Sequence, residues 1–340
     1  GVMFQTEINI VLQSLASDGL TWLMRQVTAT GYYQFVIAMV IAVMLGVSLR
    51  KGFLLFQIIA WTAMVSEIAK QFFGLPRPFF ADSRVACLEP GWDAATSFRA
   101  MGGKSFFALP QQSVIDAFRL KGVSFGFPSG HVSGAIAMWG GLAAVFRSRV
   151  LACLAPFLIA LLAFTRMYLG VHFLADILGG ALLGGLLLFF SWRLIGSDPD
   201  RDRFFAAAMT RIASSLPGIL YFFFLFVLPL LLALSSLLSA MFAGFYIGLN
   251  AAFTLALRSG LPEDTGSLPI RLLRVLLGGL LFWLLSLALR LTLTLIPAAA
   301  GSAWGIFLVA GLGTFLTVWG GLKLFLRLGL YQKEKAAPVQ

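Results

Sequence analysis

The chain has 340 residues, 59% of them hydrophobic and 11% charged, with a mean hydropathy of +0.92. So much apolar sequence exceeds what a soluble core absorbs, which excludes an ordinary globular protein and points to a bilayer. The formal net charge of +11 would suggest nucleic acid in a soluble protein; here it reads as basic loops at anionic headgroups, and no nucleic-acid module is present.

Gly1 and Val2, ahead of Met3, are set aside as foreign to the fold. No cleavable signal peptide is expected, because the first strongly apolar run starts near Tyr32 and is long enough to span. Residues 3–30 are too polar to cross. Phe4, Ile8, Val11, Leu12, Leu15, Leu20, Leu23 and Met24 predict an amphipathic segment lying in the interface, broken near Ser17, Asp18 and Gly19.

The core, 31–195, carries five predicted spans: 32–49, 53–73, 130–146, 150–169 and 173–192. Pro76 and Pro78 stop the second. A loop over 79–126, rich in Phe and Trp, faces outward and is either a lid or a static cap; 113–120 within it could form a short helix. Glycines 179, 180, 184 and 185 in the fifth span permit close helix packing. A polar linker, 196–215, opens with GSDPDRDR. The C-terminal region 216–328 adds spans at 216–234, 238–257, 272–296 and 303–322, and 329–340 is a polar tail. The expected fold is an all-α polytopic bundle of about nine transmembrane helices with an N-terminal interfacial helix. Cys87 and Cys153 fall near opposite faces, so no disulfide is expected between them.

Fifteen of the 25 lysines and arginines lie on the side that holds Arg50, Lys51, Arg147, Arg149 and Arg193. The positive-inside rule makes that side cytoplasmic. The other side collects three separated stretches: Lys70 to Arg77 and Pro78; Pro128-Ser129-Gly130-His131; and Thr165-Arg166 followed by His172 and Asp176.

Lys70, Arg77 and Arg166 are three cations at one membrane edge, enough to hold a dianionic phosphate. Ser129 and Gly130 begin a helix, whose first N–H groups favour an anion, and the Ser129 hydroxyl adds a donor. The chain's two histidines, His131 and His172, both fall in these stretches. One can attack phosphorus while the other protonates the leaving oxygen and then activates water. His172 is the better nucleophile, because Asp176, four residues on, lies one helical turn away and can orient it. His131 is then the general acid and base. No cofactor or metal is expected: the cations and the helix start do the work of metal ions, and no carboxylate cluster faces this side.

Lys-x6-Arg-Pro, Pro-Ser-Gly-His and Arg-x5-His-x3-Asp together resemble the three signatures of the type 2 phosphatidic acid phosphatase superfamily, over roughly residues 30–195. Thr165 stands where that family usually has serine, which keeps a hydroxyl. The resemblance implies a phosphohistidine at His172 oriented by Asp176, leaving-group protonation by His131, and phosphate binding by Lys70, Arg77, Ser129, Gly130 and Arg166. Soluble vanadium haloperoxidases share the pocket, but nine spans argue against them. The layout also looks like the glucose-6-phosphatase and sphingosine-phosphate phosphatase branches, by topology alone.

The expectation is an integral-membrane lipid phosphate phosphatase with its site at the periplasmic face of a bacterial inner membrane, or lumenal in a eukaryote. A soluble sugar-phosphate phosphatase, a lipid phosphotransferase, and a lipid-phosphate transporter or scaffold stay open as alternatives. The sequence leaves the oligomeric state open. Glu67 reads as an i,i+3 partner of Lys70 before a reader of substrate amines, and Arg290 as a snorkelling residue.

Overall fold

The computed structural model describes residues 3–211, 214–296, 298 and 301–333. Gly1, Val2 and residues 334–340 of the predicted tail lie outside the described residues. Among the described residues the ordered elements are helices, joined by one isolated backbone bridge between Pro262 and Lys333. In chain order they are α1 (Glu7–Gln13), α2 (Asp18–Ala29), α3 (Tyr33–Val47), α4 (Leu49–Phe73), α5 (Pro78–Ala81) and α6 (Gln112–Leu120). Then come α7 (Gly130–Phe146), α8 (Arg149–Tyr168), α9 (Leu174–Ile195), α10 (Asp198–Met209) and α11 (Leu216–Leu234). The last are α12 (Ala240–Arg258), α13 (Leu268–Thr294) and α14 (Ala303–Arg327).

Each predicted span has a helix at its position, yet fewer than nine are long enough to cross. Among the described residues seven helical stretches have the length and apolarity, and eight if α2 and α3 act as one broken span. The shortfall is at α3 and α7. Charge at Arg50 and Arg147 bounds both, and Arg147 itself turns left-handed (φ 51°) to end α7. The polar linker contains a helix. It folds as α10, because the Ser197 hydroxyl accepts from Asp200 N–H, Pro199 sits in the first turn, and Asp198 and Asp200 meet the positive helix end. Serine hydroxyls likewise cap α2, α8, α11, α12 and α14, at Ser17, Ser148, Ser215, Ser239 and Ser302.

The chain divides into two compact units, one of residues 1–36 and 57–193, the other of 37–56 and 194–340. The first unit holds every candidate site residue. Under the loop over 79–126 it buries an aromatic core of Phe4, Phe79, Phe80, Phe118, Tyr168 and Phe173. Phe80 meets Phe118 at 4.9 Å between ring centroids, and Phe4 meets Phe173 edge-on at 5.6 Å. The loop is tied down by backbone bonds from Leu88 N–H to the Leu169 carbonyl, from Met101 to Ala81 and from Gly126 to Leu75.

In the second unit α12 lies directly on α14. A Cβ on Gly244 or Gly248 would overlap the backbone carbonyls of Phe307 and Gly311, so only glycine lets these helices approach so closely. Phe53 stacks on Phe253 at 3.9 Å.

Candidate active site

The site forms where the turn after α8, the start of α7 and the end of α4 converge. The turn needs glycine at 170 (φ 77°), where a Cβ would strike the Ala86 carbonyl. His172 follows in this turn and Asp176 lies in the first helical turn of α9, so the predicted four-residue relation holds. His172 Nδ1 lies 3.1 Å from Asp176 Oδ2, and the same oxygen accepts the Phe173 N–H at 2.9 Å. Asp176 is thus held from two sides. His172 presents Nε2 on its other edge, 3.2 Å from Nη1 of Arg77.

Arg77 is buried and stiff. Its guanidinium donates to the carbonyls of Ser124, Phe125 and Val171, and its Cζ lies 4.4 Å above the Trp92 ring. Such a cation can turn little, which fixes where its charge points. Burial, reinforced by the charges of Arg77, Arg166 and Lys70, holds the His172 imidazole well below its ordinary value. It is therefore neutral near pH 7, with a lone pair on the ring.

The Ser129 turn packs against α9 through its glycines. A Cβ on Gly180 would come within 2.5 Å of the Ser129 carbonyl, and one on Gly184 within 2.9 Å of Ser133 Cα. Ser129 N–H donates to the backbone carbonyl of Asp176 at 2.9 Å, joining the second and third stretches directly. The Ser129 hydroxyl accepts from Val132 N–H as the helix cap, which leaves its own proton to donate. Lys70 reaches the same turn: a Cβ on Gly130 would lie 3.3 Å from its Nζ. His131 is wedged edge-on against Tyr32, ring centroids 5.1 Å apart, and its buried Nε2 has no hydrogen-bond partner among the described residues. All eight residues singled out in the sequence lie in this unit, and His172 and His131 both feel the charges of Lys70, Arg77 and Arg166.

Arg166 comes with protein partners the sequence did not single out. Its terminal nitrogens are already engaged, by Glu89 at 2.8 and 3.0 Å and by the Thr28 hydroxyl at 2.9 Å. Neither partner stood out in the sequence. Glu89 is one acid in a loop of mixed charge, and Thr28 one hydroxyl in an amphipathic segment. Asn9 was missed likewise: it is buried and donates to the carbonyls of Met167 and His172. The one available signal is a set of polar side chains spaced along α1 and α2, a pattern an interfacial helix shares.

Residues 51–198 match the profile of the PAP2 superfamily. The chain is 37% identical over 90 residues to "Phosphatidylglycerophosphatase B" of Bacillus subtilis, a match covering 24% of this chain and 43% of that protein. It is 35% identical over 65 residues to "Lipid A 4'-phosphatase" of Bacteroides thetaiotaomicron, covering 19% and 29%. The matched part is therefore less than half of either relative. Among solved structures, the first transmembrane PAP2 type phosphatidylglycerolphosphate phosphatase from Bacillus subtilis aligns with a TM-score of 0.39 and 21% identity, over 55% of this chain and 81% of that one.

Proposed function

We propose that this integral membrane protein, whose residues 51–198 match the PAP2 superfamily, hydrolyses a phosphate monoester or diphosphate of a lipid, without a metal, through a phosphohistidine at His172. The observation that carries the reading is the pairing of His172 Nδ1 with Asp176, which leaves Nε2 as the acceptor of one Arg77 Nη1–H, a bond that an entering phosphate displaces.

In this mechanism Nε2 of His172 attacks phosphorus and the bond to the leaving oxygen breaks. Asp176 holds the Nδ1 proton and stabilises the positive ring that forms. His131, protonated once a dianionic phosphate is bound, gives its proton to the leaving oxygen. It then takes a proton from water, whose oxygen attacks phosphorus, breaks the P–N bond and releases inorganic phosphate. Lys70 and Arg166 hold the non-bridging oxygens together with the Ser129 hydroxyl and the N–H groups at Gly130, and the Nη1–H that Arg77 gives His172 passes to an oxygen as Nε2 attacks. The charge excess on the Arg50–Arg193 side supports a site on the outer, periplasmic face of a bacterial inner membrane.

The relatives' names make phosphatidylglycerophosphate and a lipid A 4'-phosphate the first substrates to test, with phosphatidate, a polyprenyl diphosphate, a sphingoid phosphate and a sugar phosphate beside them. Purified protein in detergent and EDTA should release inorganic phosphate from at least one of these, and His172→Ala should not. Turnover surviving in His172→Ala overturns the mechanism. Transfer of phosphate to a second lipid instead of water makes the protein a transferase.

A further inference from the structure

We propose that α1 and α2, which lie outside the stretch matched by the family profile, act as a positioning strap for the catalytic turn: Asn9 fixes the backbone at His172, and Thr28, together with Glu89, turns one edge of Arg166 toward the phosphate. This rests on the functional reading above and adds residues to it.

The strap is built from bonds, not from apolar contact alone. The Asn9 amide nitrogen carries two hydrogens, and the side chain is 1% exposed. It donates to the Met167 carbonyl at 2.8 Å and to the His172 carbonyl at 3.1 Å. Those carbonyls bracket the turn between α8 and α9, so one side chain from α1 sets its span. Gln13, four residues on and hence on the same helix face, repeats the pattern. It donates to the carbonyls of Tyr168 and Ala86, at 3.0 and 2.7 Å, and accepts the Ala86 N–H at 2.9 Å. At the N-terminal edge the Met3 carbonyl accepts from Ala175 N–H, beside Asp176.

Arg166 shows what the strap achieves. A guanidinium has five N–H donors in one plane, which form an end-on fork across Nη1 and Nη2 and a side-on fork across Nε and Nη2. Glu89 lies against the end-on side: Nη1 donates to its Oε1 at 3.0 Å, and its Oε2 sits 2.8 Å from Nη2 as an ion pair without a hydrogen bond. The remaining Nη1 hydrogen goes to the Thr28 hydroxyl at 2.9 Å. Nε is buried and has no hydrogen-bond partner among the described residues. The side-on fork is thus the edge left over, and its spacing suits two oxygens of one phosphate. Thr28 and Glu89 are positioning residues: they select which edge of Arg166 meets substrate.

The test uses the full chain in detergent with the lipid phosphate it cleaves fastest. It compares Thr28→Val, which keeps shape and removes the hydroxyl, with Thr28→Ser, which restores it. Asn9→Asp keeps shape and removes both donors. Turnover per active site, KM, Tm and the binding constant of orthovanadate, a mimic of five-coordinate phosphorus, are measured on each. Thr28→Val should lower kcat and weaken vanadate binding, each on the order of tenfold, with Tm unchanged. Thr28→Ser should recover both. Asn9→Asp should lower kcat at least as much. A merely structural role would move Tm or the fraction of active protein while leaving kcat per site and vanadate binding at wild-type values, and that result overturns the proposal. So does failure of Thr28→Ser to recover. Should Asn9→Asp not fold, the Thr28 pair decides. Should the wild type release no phosphate, the functional reading falls, and calorimetric vanadate binding to wild type and Thr28→Val still tests the strap.

Discussion

Each of the two units buries an arginine among apolar helices, and the two are held in opposite ways. Arg166, 1% exposed, is gripped by a carboxylate and a hydroxyl and keeps one edge free. Arg274, also 1% exposed, lies with its Cζ 4.1 Å above the Tyr331 ring, and its Nε and Nη1 have no hydrogen-bond partner among the described residues. A buried cation is therefore not by itself a phosphate site. What separates the two is company. Arg166 shares its unit with both histidines, with Lys70 and Arg77 and with the helix start at Ser129, whereas Arg274 has an aromatic face and its neighbour Arg271, whose donors go to the backbone carbonyls of Gly46, Val47, Asp264 and Gly266. Both arginines keep donors unpartnered, and only Arg166 does so in a unit that also holds the two histidines.

Four substitutions sharpen or break this contrast. The largest effect is expected from His172→Ala, which removes the attacking atom and should cost on the order of 10⁴-fold in kcat or more. Arg274→Met in the other unit should leave kcat at the wild-type value, and a loss there would erase the distinction. Next, Arg166→Lys should lower kcat/KM on the order of 10²-fold, because one ammonium cannot serve Glu89, Thr28 and a phosphate together. Glu89→Gln comes third, with about a tenfold loss of turnover and a lower Tm, since breaking one side of a buried pair costs roughly 3–5 kcal/mol. Arg274→Met should instead hold or raise Tm, as a buried charge replaced by an apolar side chain of similar volume is often stabilising.

The smallest effect concerns pH. Burial alone would raise the Asp82 carboxyl, but hydrogen bonds from Arg84 and Thr6 overcome that and hold it well below the usual carboxylate range. A depressed carboxylate contributes stability that is fully present above its unfolded value of about 4 and fades as pH falls below it. The Tm difference between wild type and Asp82→Asn should thus be constant above about pH 5 and shrink under about pH 4. A difference that grew on acidification would show that Asp82 is not the anchor of the loop over 79–126. The neutral state of His172 has a matching kinetic signature: the acid limb of kcat/KM should lie below about pH 6.5.

The membrane class, the positions of the helices and the eight motif residues were legible in the chain itself. Long apolar runs need a bilayer, proline and charge end them, and a four-residue spacing on a helix is a contact wherever the helix goes; His172 and Asp176 are the plainest case. The glycines of α9 also announced a close approach, and the Ser129 turn fills it. The number of crossing helices was less legible, because α3 and α7 are apolar along their length yet shorter than the long spans. Least legible were the partners that finish the site. Asn9, Thr28 and Glu89 stand 163, 138 and 77 positions from the residues they hold. No periodicity spans such distances. Local sequence determined which residues are polar and which face of a helix they share. Only the tertiary structure decided which edge of Arg166 is filled and which backbone Asn9 grips, because a hydrogen bond depends on where donor and acceptor meet in space, and folding alone sets that.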